Sequence, residues 1–302
     1  MEARFCLAVR WLLMMMVAGS GWAADRGDVL REEIALWQQR RVAELTAVDG
    51  WLTLVGLHFM KEGDNTVGSA ADNDIVLAKS PARVGTIQVA AGGKVSLVCA
   101  AGTDVRVDGA VVGAAELKWA EPKKPTLVTT GSLTFFVVDR GGKKALRVKD
   151  RAAESRARFV GLDYFATDPT WRREARWQPF EKSRLMPIKN MLGQTEMELV
   201  PGKAVFTHEG RLVELLAIDE GRDVPLFFVV ADETNGKETY GGGRFLYVEW
   251  PQEGATTIIL DFNRMENPPC AFTAFSTCPL PPKENRLPFT VRAGEQSYRG
   301  AH

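Results

Sequence analysis

Carboxylates near the carboxyl end of the chain could perform acid–base chemistry. Asp261 and Glu284 lie at either end of a segment rich in proline, asparagine and arginine, with Glu266 between them. Carboxylates that share a cleft can act as general acid and general base, which predicts a hydrolase or a transferase. The alternative is structural, because Asp261 and Asn263 could instead accept hydrogen bonds from backbone groups in an irregular segment.

A run of three glycines lies between a tyrosine and an arginine, at Tyr240 and Arg244. A guanidinium pairs well with a carboxylate or a phosphate, so these side chains could bind an anion. The segment is not a nucleotide-binding loop, because it lacks the Gly-Lys-Ser/Thr sequence and a strand pattern follows it. In the alternative, the glycines only form a turn and Arg244 pairs with Asp232 or Glu238.

The predicted ligand is a small anion or a component of the cell envelope. The residues predicted to bind it are Tyr240, Arg244, Asn263, Asn267 and Arg172. Arg172 lies in a stretch where arginine alternates with tryptophan. If this stretch is extended, Trp171 and Trp177 face the core and Arg172 faces the opposite side. A charged surface strand and an arginine-lined pocket both fit this pattern.

Cys270 and Cys278 are predicted to form a disulfide, because they share one proline-rich loop of a chain that we expect outside the cytoplasm. Closing so short a loop is worth roughly 2.5 kcal/mol in the chain-entropy model. The alternative is a Cys270 nucleophile beside His58 or His208. Cys99 alternates with core positions and is predicted to be a buried free thiol. We expect the proline-rich loop, closed by this disulfide, to lie against the three consecutive glycines and to form one cavity with them.

No metal or cofactor is predicted. The sequence has 3 histidines, and the spacing of Cys270 and Cys278 is not that of a zinc site. A Gly-x-Ser-x-Gly elbow for a serine nucleophile is missing from the sequence. Lys and Arg number 38, as do Asp and Glu, so the charge balance gives no electrostatic basis for binding nucleic acid.

Residues 1–23 are predicted to be a secretion signal. Arg4 and Arg10 precede a short apolar run, and small residues precede the cleavage site expected after Ala23. The run is too short to span a membrane, which takes ~20 apolar residues, and no other segment of the sequence is predicted to cross one. The mature chain is therefore expected in the periplasm or outside the cell.

An all-β, mostly antiparallel fold with one N-terminal helix is predicted to position these residues. Leu30, Ile34, Trp37 and Leu45 share one helical face, with Asp28 as the predicted cap. After the helix, short alternating runs are separated by Gly, Asp, Asn and Pro, which is typical of a sandwich or barrel. The predicted organisation is the signal at 1–23, the helix at 24–49, a β-sandwich at 50–155 and a C-terminal β domain, a second sandwich or an open barrel, at 156–302.

Part of the first β region resembles the forkhead-associated domain, a β-sandwich that recognises phosphothreonine. The likeness lies in Gly63–Ser69, Asn73–Leu77, Ser80–Gly85 and Val107–Gly109. Ser69 stands where that family has an arginine, and no histidine follows Arg83. The resemblance therefore implies the fold, while the missing arginine argues against phosphate recognition.

The C-terminal part resembles DUF1684, a bacterial family of unknown function. The shared motifs are Thr239–Leu246, Asn267–Thr273, Cys278–Asn285 and Ala293–Glu295, with Gly50–Leu52 near the start of the mature chain. The resemblance is expected to cover nearly all of the mature chain. It implies no activity and no catalytic residue, so function has to be argued from the residues themselves.

Overall fold

The alternating apolar runs form strands in the computed structural model, which describes residues 20–119 and 124–300. The helices are α1 (Ser20–Thr46) and α2 (Glu154–Ala157). The strands are β1 (Leu54–Phe59), β2 (Gly63–Gly68), β3 (Ile75–Val76), β4 (Gly85–Val89), β5 (Val95–Cys99), β6 (Arg106–Val107), β7 (Ala110–Val111), β8 (Ala114–Glu116), β9 (Val128–Thr130), β10 (Leu133–Arg140), β11 (Lys143–Asp150), β12 (Arg172–Lys189), β13 (Thr195–His208), β14 (Arg211–Ala217), β15 (Leu226–Val230), β16 (Arg244–Val248) and β17 (Thr257–Asp261). The predicted class, mostly antiparallel β with one N-terminal helix, is confirmed.

The basic and apolar part of the predicted secretion signal falls in residues 1–19, outside the described residues. The signal and its cleavage after Ala23 therefore stay predictions. Of the helices in the described part of the chain, none combines the length and the apolar character that crossing a membrane requires.

The apolar face of α1 packs as its spacing predicts. Leu30, Ile34 and Leu45 are buried, and Leu45 joins a cluster with Leu52 and Phe272 from later parts of the chain. The predicted helix cap at Asp28 is wrong. The helix already extends from Ser20, so this carboxylate lies within it and pairs with the next turn at Arg31.

The first β region is a sandwich of two sheets. The six-stranded sheet has the order β1-β11-β10-β9-β6-β7, and the five-stranded sheet has the order β3-β2-β4-β5-β8. Apolar side chains from both sheets, such as Ile87 and Phe135, form one buried core. All the pairings are antiparallel except β2 with β3. Cys99 lies half-buried at the edge of this core, and the specific likeness to the forkhead-associated domain stays a prediction.

The C-terminal region is an open half-barrel. Of the two forms predicted for it, a second sandwich or an open barrel, it corresponds to the open barrel. A four-stranded sheet of order β14-β13-β12-β17 faces the pair β15-β16, and Ile218 bridges to Phe227 where the two sheets meet. The interior is filled by side chains such as Phe228, Leu260 and Phe262. Ala175 and Trp177 of β12 face this core while Arg172 is exposed, which confirms the predicted alternation.

The proline-rich loop that carries Cys270 and Cys278 joins the two β regions. On one side, Thr273 donates to the Leu54 carbonyl of β1 at 3.0 Å, and Arg140 of β10 donates to the Thr277 hydroxyl at 2.6 Å. On the other side, Cys278 packs on the outer face of β15 and β16. The loop thus lies between the outer face of the six-stranded sheet and the outer face of the half-barrel.

Candidate functional site

A pocket of about 530 Å³ opens between the C-terminal half of α1, the turn that follows it and the outer face of β16. We call it the α1 pocket. Its wall is aromatic at Trp37, Trp51 and Tyr247 and charged at Arg41, Glu44, Asp49 and Glu266. Aromatic walls with a few convergent polar groups are typical of small-molecule sites.

The helix and its turn supply one wall because of their local geometry. Trp37, Arg41 and Glu44 follow one another at helical spacing and therefore share a face of α1. The chain then turns sharply at Gly50, where an added Cβ would lie 2.4 Å from the Glu44 carbonyl oxygen. Only glycine fits this approach, and the turn places Trp51 against the pocket.

The opposite wall comes from β16 and the segment after β17. Leu246 and Val248 point into the half-barrel core, so Tyr247 between them points outwards. The Tyr247 ring stacks on Phe227 with centroids 5.1 Å apart. Glu266 is held beside this strand because its backbone N–H and C=O pair with Phe245 at 2.9 and 2.8 Å.

A buried arginine joins the helix to two carboxylates at the base of the pocket. Arg41 is 6% exposed; its Nη1 lies 3.1 Å from Glu266 Oε1 and its Nε lies 2.9 Å from Glu295 Oε1. Its Nη2 donates to the Asn267 carbonyl at 2.7 Å. The Glu295 carboxylate also accepts the Asn267 N–H at 2.7 Å. The donors of Arg41 are therefore committed to the protein itself.

Burial raises the pKa of Glu266 to about 7, with the nearby charges of Glu295 and Glu44 adding to the rise and Arg41 opposing it. Burial likewise raises the pKa of Glu295. One cation faces two desolvated carboxylates, so the charged form of both is disfavoured. Glu266 therefore exchanges a proton near neutral pH, which is the property required of a general acid or base.

Arg244, predicted to bind a ligand, is instead enclosed in the protein. It is 0% exposed and lies 2.8 Å from Asp232 Oδ2. Its Nη1 and Nη2 also donate to the backbone carbonyls of Val291, Ala293 and Glu295, while its Nε is buried without a hydrogen bond. The structure thus corresponds to the alternative in which Arg244 pairs with Asp232, and a ligand could reach this guanidinium only by displacing the C-terminal segment.

Asp261 and Asn263 bond to one another and to the backbone, as in the structural alternative predicted from the sequence, although Asp261 Oδ2 is buried without a hydrogen bond, 3.6 Å from Arg264 Nε. Asp261 Oδ1 accepts the N–H and the amide of Asn263 at 3.2 and 2.9 Å. Asn263 in turn exchanges two hydrogen bonds of 3.0 Å with the backbone of Asp168. Glu284 lies on a short turn, 4.0 Å from Lys283, and among the described residues no hydrogen-bond or ion-pair partner is common to Glu284 and Asp261.

The other predicted ligand-binding residues also serve contacts within the protein. Arg172 pairs with Glu33 of α1 at 2.7 Å. The Tyr240 hydroxyl donates to the Cys270 carbonyl at 3.3 Å. Asn267 is buried, and its side-chain amide donates to the Gln296 carbonyl at 2.7 Å. Of the five residues predicted to bind a ligand, Arg172 and Asn263 share Asp261 as a partner, at 4.0 and 2.9 Å, whereas Tyr240, Arg244 and Asn267 make separate contacts within the protein.

The predicted approach of the proline-rich loop to the triple glycine is confirmed. Gly243 has a φ of +90°, and a Cβ there would lie 2.5 Å from Pro281 Cγ, so this position needs glycine. Gly241, Gly242 and Pro281 line a shared pocket of about 180 Å³. This pocket is smaller than the α1 pocket, and its lining includes neither Tyr240 nor Arg244.

Cys270 and Cys278 are adjacent but are free thiols in the structure. The Cys270 N–H points to Cys278 Sγ at 3.2 Å and the Cys278 N–H to Cys270 Sγ at 3.4 Å. The predicted proximity is present, whereas the predicted S–S bond is not. Within the described ranges, no histidine donates to either sulfur, and no group of three or more His, Cys, Asp or Glu is placed to hold a metal ion.

A family model described as a protein of unknown function, DUF1684, matches residues 157–296. The chain is also 34% identical to an uncharacterized protein of Haloarcula marismortui whose solution NMR structure is known, over 48% of this chain and 81% of that chain, with a TM-score of 0.40. The chain belongs to the DUF1684 family. No curated protein matches it.

The DUF1684 match is narrower than the sequence resemblance suggested, since residues 50–52 lie outside it. The matched range contains Tyr247, Glu266 and both loop cysteines, whereas Trp37 and Arg41 come from α1. The α1 pocket is therefore built partly by the DUF1684 region and partly by the helix that precedes the sandwich.

Arg41 is a site residue that was not predicted from the sequence, although its position in the helix was a signal. Arg41 lies on the same helical stripe as Ile34, Trp37 and Leu45, where an apolar residue is expected. A charged residue on a buried stripe requires a buried partner, and two carboxylates from the C-terminal region supply it.

Replacing Arg244 by methionine should destabilise the fold strongly. The change leaves the buried Asp232 carboxylate without its counter-charge, which costs about 3–5 kcal/mol. Chemical denaturation followed by circular dichroism measures the effect. The matched control is Arg292→Met, which removes a surface pair with Glu238 and should cost less than ~1 kcal/mol. Equal losses of stability in the two variants would show that the buried pair of Arg244 and Asp232 contributes no more than a surface pair.

The stability of the protein should fall as pH rises, in a way that depends on Glu266. Between the unfolded pKa of ~4.3 and the folded pKa of about 7, the folded state holds a proton that the unfolded state has released. Stability is then lost with rising pH across this window, by about 2–3 kcal/mol between pH 5 and pH 8.

Denaturation of the parent and of Glu266→Gln at pH 5, 6, 7 and 8 isolates this contribution, because glutamine cannot titrate. The stability difference between the two proteins should shift in favour of the variant as pH rises. Glu284→Gln, on an exposed turn, is the matched control and should follow the parent at every pH. A constant difference for Glu266→Gln would show that this carboxyl does not titrate in the window.

Proposed function

We propose that the chain binds a small organic cation in the α1 pocket. The observation that carries the proposal is the lining itself, in which three aromatic rings surround carboxylates and one committed arginine. An ammonium group is attracted by the faces of Trp and Tyr rings and by carboxylates. Both kinds of group converge on the same pocket.

The charges of the pocket favour a cation over the anion that the sequence predicted. Arg41 uses its donors on Glu266, Glu295 and a backbone carbonyl, so it offers little to an anionic ligand. Glu44 is exposed at the pocket, and its carboxylate makes no hydrogen bond or ion pair with any described residue. The carboxylates therefore outnumber the cations available to a ligand. A partner in the cell envelope stays a prediction of the sequence.

The second candidate function is a hydrolase or a transferase in which Glu266 supplies the acid–base group. The pKa of Glu266, raised by burial to about 7, favours this candidate, since such a carboxyl can both give and take a proton at neutral pH. Asp261 is committed to Asn263. Glu266 therefore replaces Asp261 and Glu284 as the residue proposed for the chemistry.

We further propose that the protein is exported. The support is the sequence of residues 1–23, with Arg4 and Arg10 before an apolar run and small residues before the expected cut. Protein purified from the producing cells should begin at Ala24 when its amino terminus is sequenced, and it should fractionate with the periplasm or the medium. An intact Met1 in the cytoplasmic fraction would exclude export.

Choline should stabilise the protein against thermal unfolding, because a ligand that binds only the folded state raises the melting temperature. The control ligand is 3,3-dimethylbutanol, which has the same shape without the charge and should give a much smaller shift. The shift from choline should be larger at pH 8 than at pH 6, since Glu266 is then ionised. Equal shifts with the two ligands would exclude recognition of charge.

Two variants locate the binding. Tyr247→Leu should weaken choline binding about tenfold, the equivalent of ~1.4 kcal/mol, and Glu266→Gln should remove the pH dependence. Glu284→Gln is the matched carboxylate control and should bind like the parent. If a ligand found in this assay is also turned over, and Glu266→Gln keeps binding but loses turnover, the second candidate function holds in place of simple binding.

A further inference from the structure

The two loop cysteines and the serine between them form a hydrogen-bonded chain. Ser276 Oγ donates to Cys270 Sγ at 3.0 Å, and Cys278 Sγ donates to Ser276 Oγ at 3.7 Å. The chain has a direction. Cys278 gives its proton towards Ser276 and Ser276 gives its proton towards Cys270, so Cys270 is the acceptor at the end.

The backbone amides do not distinguish the two sulfurs, because the Cys278 N–H points to Cys270 Sγ at 3.4 Å and the Cys270 N–H points to Cys278 Sγ at 3.2 Å. The difference between the sulfurs comes from the Ser276 hydroxyl, which faces Cys270 Sγ at 3.0 Å. Hydrogen bonds to the charged form of a group favour that form. Cys270 is half-exposed, whereas Cys278 is buried. The sulfur best suited to carry a negative charge is therefore also the one that a reagent can reach.

A buried arginine without an ion pair lies on the sheet face that the loop covers. Arg147 is 8% exposed, its side chain makes no hydrogen bond or ion pair with any described residue, and its Nε is buried without a hydrogen bond. Its guanidinium carbon lies 5.6 Å from the centroid of the Trp51 ring. It belongs to β11, which lies between β1 and β10, and the loop is fastened to both of these neighbours through Thr273 and Thr277. A buried guanidinium is stabilised by an anion nearby, and the loop that carries both thiols is fastened across this face of the sheet.

We propose that Cys270 and Cys278 are a redox-active dithiol, in which Cys270 is the attacking thiolate, Cys278 is the resolving thiol and Arg147 is the fixed counter-ion. The oxidant is a low-molecular-weight disulfide. This site lies apart from the α1 pocket lining and does not depend on the function proposed for that pocket.

The reaction balances as two successive exchanges. Cys270 Sγ attacks one sulfur of the small disulfide RSSR; the S–S bond of RSSR breaks, a mixed disulfide forms and RS⁻ leaves and takes a proton from solvent. Cys278 then attacks Cys270 Sγ and releases the second RS⁻, which takes the proton that Cys278 gives up. The protein loses two electrons and forms one disulfide, and RSSR becomes two molecules of RSH.

The electrostatics of the pair agree with this order. The neighbouring Cys278 thiol, the Ser276 hydroxyl and the charge of Arg147 together hold the pKa of Cys270 below that of a free cysteine, against the effect of burial. The proximity of a thiolate at Cys270 and burial raise the pKa of Cys278. Burial lowers the pKa of Arg147 to about 10, so its guanidinium remains charged at neutral pH.

Equilibration with buffers of reduced and oxidised glutathione tests the redox activity of the full-length protein. After acid quenching, alkylation and digestion with trypsin, both cysteines lie in one peptide, Met265–Lys283. The reduced peptide then carries two alkyl groups. The oxidised peptide carries none, and its mass is that of the unalkylated dithiol less two hydrogen atoms. We expect the oxidised fraction to rise progressively along the series of buffers. A peptide that stays fully reduced in every buffer, or fully oxidised in every buffer, would overturn the proposal.

Single cysteine variants test the order of attack. Cys278→Ser should trap glutathione on Cys270 as a mixed disulfide, because the resolving thiol is gone. In Cys270→Ser, Cys278 should react with oxidised glutathione at least tenfold more slowly than Cys270 does in Cys278→Ser, since the Cys278 thiol is buried and its ionisation is disfavoured. Equal or faster modification of Cys278 would overturn the assignment of Cys270 as the attacking group.

The pH profile of alkylation tests Arg147. In the Cys278→Ser background, iodoacetamide should react with Cys270 with a midpoint below the ~8.5 of a free cysteine. Arg147→Gln should raise this midpoint and slow the reaction at pH 7 about tenfold, one pKa unit, and Arg147→Lys should restore most of the rate. Arg292→Gln, which removes a surface arginine paired with Glu238, should leave the midpoint in place. An unchanged midpoint in Arg147→Gln would overturn its role as counter-ion.

Discussion

The guanidinium of Arg244 holds the C-terminal segment of the chain in place, and the candidate site depends on this contact. It pairs with Asp232 and donates to carbonyls within residues 291–295, an irregular segment that otherwise pairs only through single contacts such as the bridge between Tyr164 and Glu295. Buried carbonyls need such a donor. Fixing this segment positions the Glu295 carboxylate, which in turn receives Arg41 from α1. One buried arginine on β16 thus determines where the helix and the pocket beside it lie.

The pairing of one cation with two carboxylates explains the chemistry of the α1 pocket. Arg41 cannot fully compensate Glu266 and Glu295 in a desolvated environment, so the pKa of each carboxyl rises. Such an arrangement contributes little to stability, because desolvation offsets the attraction between buried charges. Perturbed carboxyls beside an open pocket are typical of functional sites. The other two lining carboxylates, Glu44 and Asp49, make no ion pair with Arg41 and are the physical reason to place a cationic ligand in this pocket.

Local patterns in the sequence predicted much of the fold. The stripe of α1, the alternation at Ala175 and Trp177 and the contact of Pro281 with Gly243 all follow from spacing and residue type. The site itself could not be predicted in this way. Arg41 and the Asn267 carbonyl that it contacts are 226 residues apart, and residue type does not show that an arginine such as Arg244 will be buried against the backbone.

The α1 pocket and the dithiol have one wall in common, although their chemistry differs. Trp51 lines the pocket, and its ring centroid lies 5.6 Å from Arg147 Cζ on the other side. Between Glu266 and Cys270 the chain contains two consecutive prolines, which fix φ and leave this stretch stiff. The loop that joins the two β regions therefore brings the pocket and the thiols close together in sequence, at Glu266 and Cys270, and in space, at Trp51.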